Sequence, residues 1–179
     1  MSDDWKLLNT STASGASSVE FTDLTGFKIF KWVFIDVNPD TNLSEFQFEG
    51  SDDGGSTYGL TTTSSAWHAY NHETSGTYGL EYQSTNDLAQ STSPQHLCNG
   101  LGNGADECGA GELFLYNPAS ETYVKHFYSV FQYCQGSDYT EPFYIGGYWN
   151  TTSAATAIRF SMDSGTFSGL IKQYGLVAT

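Results

Sequence analysis

The sequence predicts an all-β protein, an antiparallel two-sheet sandwich of about ten strands. A jelly roll is the first topology it suggests and another Greek-key sandwich the second. Three observations predict this class. Short alternating segments recur with turn residues between them, and no helical periodicity lasts more than a turn or two. The chain carries 12 Phe, 12 Tyr and 4 Trp, residues that fit pleated, half-buried surfaces. Its 19 Gly, with many Ser, Thr and Asn, suit frequent turns. At 179 residues, with neither an internal repeat nor a linker, residues 1–179 read as one domain.

The elements follow in order. Residues 5–9 begin the fold, and residues 17–22 follow a Ser/Gly/Ala-rich turn. Residues 27–37 are apolar on both faces (Ile29, Phe30, Trp32, Val33, Phe34, Ile35), which predicts a central strand. Asn38-Pro39-Asp40 ends it, because proline cannot donate to a ladder. Residues 44–49 alternate, with Phe46 and Phe48 inward and Glu45, Gln47 and Glu49 outward. Ser51-Asp52-Asp53-Gly54-Gly55-Ser56 is a turn. Shorter β-like pieces cover residues 60–63, 66–70 and 78–82. Residues 86–111 are rich in Gly, Asn, Ser and Asp, with one strand expected at 95–98 and a flexible loop at 99–104. Regular structure resumes at 112–116, 123–133 and 143–150. The last two segments, Ala157-Ile158-Arg159-Phe160-Ser161-Met162-Asp163 and Leu170-Ile171-Lys172-Gln173-Tyr174-Gly175-Leu176, read as a closing hairpin around Gly165 and Gly169.

Six Lys plus Arg stand against 20 Asp plus Glu, a formal net charge of −14. Such a surface repels nucleic acid phosphate and anionic membrane, so neither is expected as a partner. It also favours solubility and discourages edge-to-edge aggregation. Met1-Ser2-Asp3-Asp4 has no basic or apolar leader character, and no apolar run approaches the roughly 20 residues of a membrane span. Folding in a cytoplasm is therefore expected. Cys98, Cys108 and Cys134 are then expected as free thiols, with a Cys98–Cys108 bridge as the alternative in oxidising surroundings.

Motifs that carry catalysis are sparse. Asp36-x-Asn38-x-Asp40 has the opening spacing of a calcium loop, but Thr41 stands where the sharp turn needs glycine and Gln47 where the closing glutamate belongs. His68, His72, His96 and His126 complete no zinc pattern. There is neither a GxSxG nucleophile turn nor a phosphate-binding glycine loop between strand and helix. No catalytic residue, cofactor or metal is expected. The best ligand-contact stretch is Trp67-His68-Ala69-Tyr70-Asn71-His72, since exposed aromatics beside amides and imidazoles stack on sugar faces and bond hydroxyls. Trp67 itself is expected in a core or subunit interface more than in a ligand contact. Tyr139, Tyr144, Tyr148 and Trp149 share that ambiguity, and such a patch also serves at a protein–protein interface.

Several segments carry a resemblance. They are residues 5–14, Phe34-Ile35-Asp36-Val37-Asn38-Pro39, Gly111-Glu112-Leu113-Phe114-Leu115-Tyr116-Asn117-Pro118, residues 122–128, Gly146-Gly147-Tyr148-Trp149-Asn150 with the four residues after it, and Gly165-x-Phe167-x-Gly169-Leu170-Ile171-Lys172-x-Tyr174-Gly175. Together they resemble small virion-associated β-sandwich proteins of marine tailed bacteriophages. The resemblance implies a particle component and supplies no catalytic residues. The expected function is thus that of a non-enzymatic virion structural protein, assembled in the bacterial host cytoplasm. Its leading form is a capsid decoration or cement protein that binds major capsid or other virion proteins as a homo-oligomer, a trimer. The alternative is a tail-fibre or fibre-tip, lectin-like module that recognises host surface glycan. Trp67, His68, Tyr70, His72, Tyr144, Tyr148 and Trp149 are the candidate ligand or interface residues.

Overall fold

The period-two patterning becomes two antiparallel sheets, seen in a computed structural model that describes residues 4–176. The opening Met1-Ser2-Asp3 read above lies outside them. Among the described residues there are twelve strands and no helix. They are β1 (Lys6–Ala16), β2 (Ser18–Phe21), β3 (Ile29–Pro39), β4 (Phe46–Ser51), β5 (Thr62–His72), β6 (Tyr78–Tyr82), β7 (Gln95–His96), β8 (Gly109–Tyr116), β9 (Lys125–Gln135), β10 (Tyr139–Trp149), β11 (Ala157–Met162) and β12 (Phe167–Leu176). One sheet has eight strands in the order β1-β12-β3-β8-β9-β10-β5-β6, and the other four in the order β2-β11-β4-β7. The protein is a β-sandwich.

Its interior is aromatic because inward positions of facing strands carry Phe and Trp. Phe30, Trp32 and Phe34 of β3 meet Phe46 and Phe48 of β4 and Phe160 of β11, all buried. Phe160 sits at the centre, with ring centroids 5.1 Å from Phe34, 5.9 Å from Phe46 and 5.9 Å from Trp32. Mostly edge-on or tilted, such pairs add about 0.5–1.5 kcal/mol each beyond the area they bury. β3 lies between β12 and β8, as its doubly apolar sequence predicts.

Two expectations are corrected. The last two strands do not pair as a hairpin: β11 joins β2 and β4 in the small sheet, while β12 lies between β1 and β3 in the large one. Gly165 and Gly169 do hold positive φ, 77° and 148°, but they turn the chain from one sheet to the other and form a bulge opposite β3. The glycine-rich stretch 99–104 is also pinned rather than free. Leu101 is fully buried, its carbonyl accepts the Leu43 N–H at 2.9 Å, and its own N–H donates to Ser44 at 2.9 Å. Apolar Leu97, Cys98 and Leu101, spaced along a polar run, anchor it into the core.

Candidate functional site

Strand alternation splits the stretch Trp67–His72 between two surfaces. Trp67 points outward from the large sheet, while His68, Tyr70 and His72 point inward. The register continues each set across neighbouring strands. Trp67 lies opposite Tyr144 of β10 and Tyr82 of β6, and Ala69 and Asn71 lie opposite Leu80 and Tyr78.

The outward surface at β10-β5-β6 is aromatic and exposed. Trp67 stacks on Tyr144 with centroids 3.9 Å apart and planes 6° from parallel. Beyond them Tyr78, Leu80 and Tyr82 are 78%, 69% and 57% exposed. All three come from β6, an edge strand that among the described residues pairs only with β5. Tyr82 donates its phenolic hydrogen to Asp87 at 2.5 Å, which orients the ring without covering it. Towards the middle of the sheet Tyr148 meets His126 edge-on at 5.8 Å. Further along, Phe114 stacks on Tyr128 at 5.1 Å, and Lys31 Nζ stands 4.6 Å from the Trp5 ring. A contiguous apolar strip on a chain with a net charge of −14 is the surface feature that most needs an explanation.

Of the inward residues, His68 and Tyr70 line a cleft of about 330 Å³ with Thr77, Glu81, Gln83, Asn99, Tyr139 and Glu141, and His72 does not. Its floor is a hydrogen-bonded chain. Tyr133 donates to Glu141 Oε2 at 2.5 Å, and His68 Nδ1 lies 3.1 Å from the same oxygen. His68 Nε2 faces Gln83 Nε2 at 2.7 Å. Burial, then the neighbouring Cys98 and Glu141, push the Tyr133 hydroxyl well above its ordinary range, so it stays protonated and donates. Both His68 nitrogens are engaged, so the imidazole positions Glu141 rather than offering a free base. At the mouth Tyr70 donates to Glu81 at 2.9 Å, and its ring lies over Gly79, where an added Cβ would come within 2.6 Å of the phenolic oxygen. His72 Nδ1 accepts the backbone N–H groups of Thr74 and Ser75, both at 3.1 Å, and so closes the β5–β6 turn. The arrangement is rich in acceptors flanked by Tyr rings, which suits a neutral polyhydroxylated ligand better than an anion.

Trp149 leaves the candidate set. It is 1% exposed and packs between Phe48 and Phe127, at 6.2 Å from each. It shares the inward face of β10 with Phe143 and Ile145, a grouping that alternation contains. Glu141 has the same inward phase, and a lone carboxylate there is the signal that would have pointed to the cleft. For Tyr78, Leu80 and Tyr82 the signal is weaker: three large apolar residues on one face of a short strand, with no indication of what covers them.

The other groups weighed above do not converge. Asn38 donates to the Glu107 carbonyl at 2.7 Å, Asp40 accepts the Thr166 N–H at 2.8 Å, and Asp36 stands at a bulge with φ 53°. Each ties down a different segment. Among the described residues no group of three or more His, Cys, Asp or Glu is placed to hold a metal ion. Nor is any helix there long and apolar enough to cross a membrane. No protein family model matches this chain, and no curated protein is significantly similar to it.

Proposed function

We propose that this chain is a non-enzymatic structural protein of a phage virion, a capsid decoration protein that attaches by binding capsid or other particle proteins. The observation that carries the binding half is the strip of exposed Trp67, Tyr78, Leu80 and Tyr82, with half-buried Tyr144 stacked on Trp67, at the open edge of the large sheet. Interface cores are enriched in such aromatics and depleted of charge. The virion half rests on the resemblance of the segments quoted above. It is supported by the strand order, in which β1-β12-β3-β8 faces β2-β11-β4-β7. We read that nested order as a jelly roll, extended on one side by β9, β10, β5 and β6; jelly rolls serve capsid and lectin domains alike. Trimerisation at a three-fold lattice position would multiply weak contacts into avidity, and the acidic remainder of the surface would keep particles apart. Particles made without this protein are expected to lose resistance to heat and osmotic shock, measured as release of packaged DNA. Heads that stay fully stable would contradict the reading.

A second reading is favoured by the inward cleft, whose buried His68–Glu141–Tyr133 chain and flanking Tyr70 and Tyr139 suit a sugar. On that reading the chain is a fibre-tip module for host glycan. Saturable binding on a glycan array, lost in Tyr139→Ala but kept in Leu80→Glu, would select it over decoration.

A further inference from the structure

We propose that Cys108 and Cys134 form a cross-strand disulfide when the folded protein meets a disulfide oxidant. The geometry comes from the β8–β9 register. Ala110 pairs with Gln132 and Gly109 with Tyr133, so one further step sets Cys108 opposite Cys134. The Cys134 N–H donates to the Cys108 carbonyl at 3.2 Å, which confirms that step. Directly opposed, hydrogen-bonded residues of an antiparallel pair have Cα atoms about 5.5 Å apart. Disulfides span about 4.4–6.8 Å between Cα atoms, a range that includes this spacing, and their Cβ atoms sit about 3.5–4.5 Å apart, so Cys108, one residue before β8, draws in towards Cys134 as the bond forms. Alternation along β9 puts Cys134 on the outward face with Val130 and Gln132, and both cysteines are half-buried rather than sealed.

Cys98 is the contrast. It is fully buried, its sulfur accepts the Phe46 N–H at 3.1 Å, and burial pushes its thiol up to about 12. The Cys98–Cys108 bridge that spacing left open is therefore replaced by Cys108–Cys134. Burial first, then the Asp36 carboxylate and Cys134 itself, raise the Cys108 thiol. The thiolate is the reacting form, so exchange is slow near neutral pH and faster in alkali.

With oxidised glutathione as oxidant, one protein thiolate attacks a glutathione sulfur and breaks its S–S bond, releasing one glutathione thiolate. The second cysteine, as thiolate, then attacks the protein-bound sulfur and releases the other. The protein loses two electrons and two protons, and one oxidised glutathione becomes two reduced ones. The bridge would close the β8–β9 hairpin in the middle of the large sheet. A protein folded reduced in a cytoplasm would thereby gain a cross-link on leaving it.

The full chain is incubated with oxidised glutathione, alkylated, digested without reduction and analysed by mass spectrometry. A Cys108–Cys134 cross-linked peptide is expected in the wild type and in Cys98→Ser, forming faster as pH rises. In Cys108→Ser and Cys134→Ser it should be absent, and a stable glutathione adduct should remain on the surviving partner. A cross-link that includes Cys98, bridges between copies, or glutathione adducts alone on the wild type would overturn the proposal. Its outcome is independent of whether the outward strip binds a capsid.

Discussion

Trp149 lies against Gly50, where an added Cβ would stand 2.6 Å from its ring, and it is buried. Trp67, in contrast, keeps 42% of its surface exposed and has one stacking partner, Tyr144. The same side chain thus contributes to stability at one position and is left free for contact at the other. Trp149→Ala is expected to lower the unfolding free energy by about 3–5 kcal/mol, the range for emptying a large aromatic from a core. Trp67→Ala should cost about 1 kcal/mol or less, since it gives up a partly exposed stack. Urea denaturation of the two variants checks the contrast; equal losses would contradict the assignment of faces. Period-two alternation separates Trp67 from His68 in the sequence itself. Which face the second sheet covers is set by contacts distant in the chain, such as Phe48 on Trp149, and these leave no local mark.

Individual strands were legible where both flanking turns and alternation agree, as in β6, whose bounds match residues 78–82. β5 read as two pieces because Ser64 and Ser65 interrupt its apolar pattern, yet pairing with β10 keeps Thr62–His72 continuous. β7 shrinks to Gln95–His96 because only Gln47 and Phe48 of β4 meet it. The β11–β12 link misled most. Its Ser-Gly turn chemistry fits a hairpin, whereas a sandwich also needs chains that cross between sheets. That crossing is clamped by Asp163, which accepts hydrogen bonds from the Ser44 hydroxyl at 2.6 Å and the Glu45 N–H at 2.8 Å. Partial burial raises the Asp163 carboxyl, but these bonds outweigh it and hold it below its ordinary 3.8. A depressed native value contributes stability above that ordinary pH, and the contribution is lost as pH falls through the native value. Asp163→Asn should therefore cost about 1 kcal/mol at neutral pH, after solvent screening, and the variant should lose less stability than the wild type below pH about 4. Denaturation midpoints measured across that window check the sign; parallel losses would remove Asp163 as the clamp.

At the scale of the molecule, exposed apolar side chains gather at one edge of the large sheet. The chain carries 20 acidic groups, yet the rows running from β10 through β5 to β6 present Tyr144, Trp67, Tyr82, Leu80 and Tyr78 on one face. The edge strand itself is short, and Glu81 on its inward side discourages indiscriminate strand addition. A face built this way binds a chosen surface through side chains, which is how the decoration reading uses it. Composition shows the acidity and the wealth of aromatics, but the gathering of these aromatics on one face appears only once the strands are in register. Reattachment of purified protein to particles that lack it tests the central claim most directly. Wild type is expected to rebind to saturation, and Leu80→Glu, with its near-ultraviolet circular dichroism unchanged, to bind at least about tenfold more weakly, the equivalent of 1.4 kcal/mol at an interface core. Equal binding by the two proteins would contradict the account.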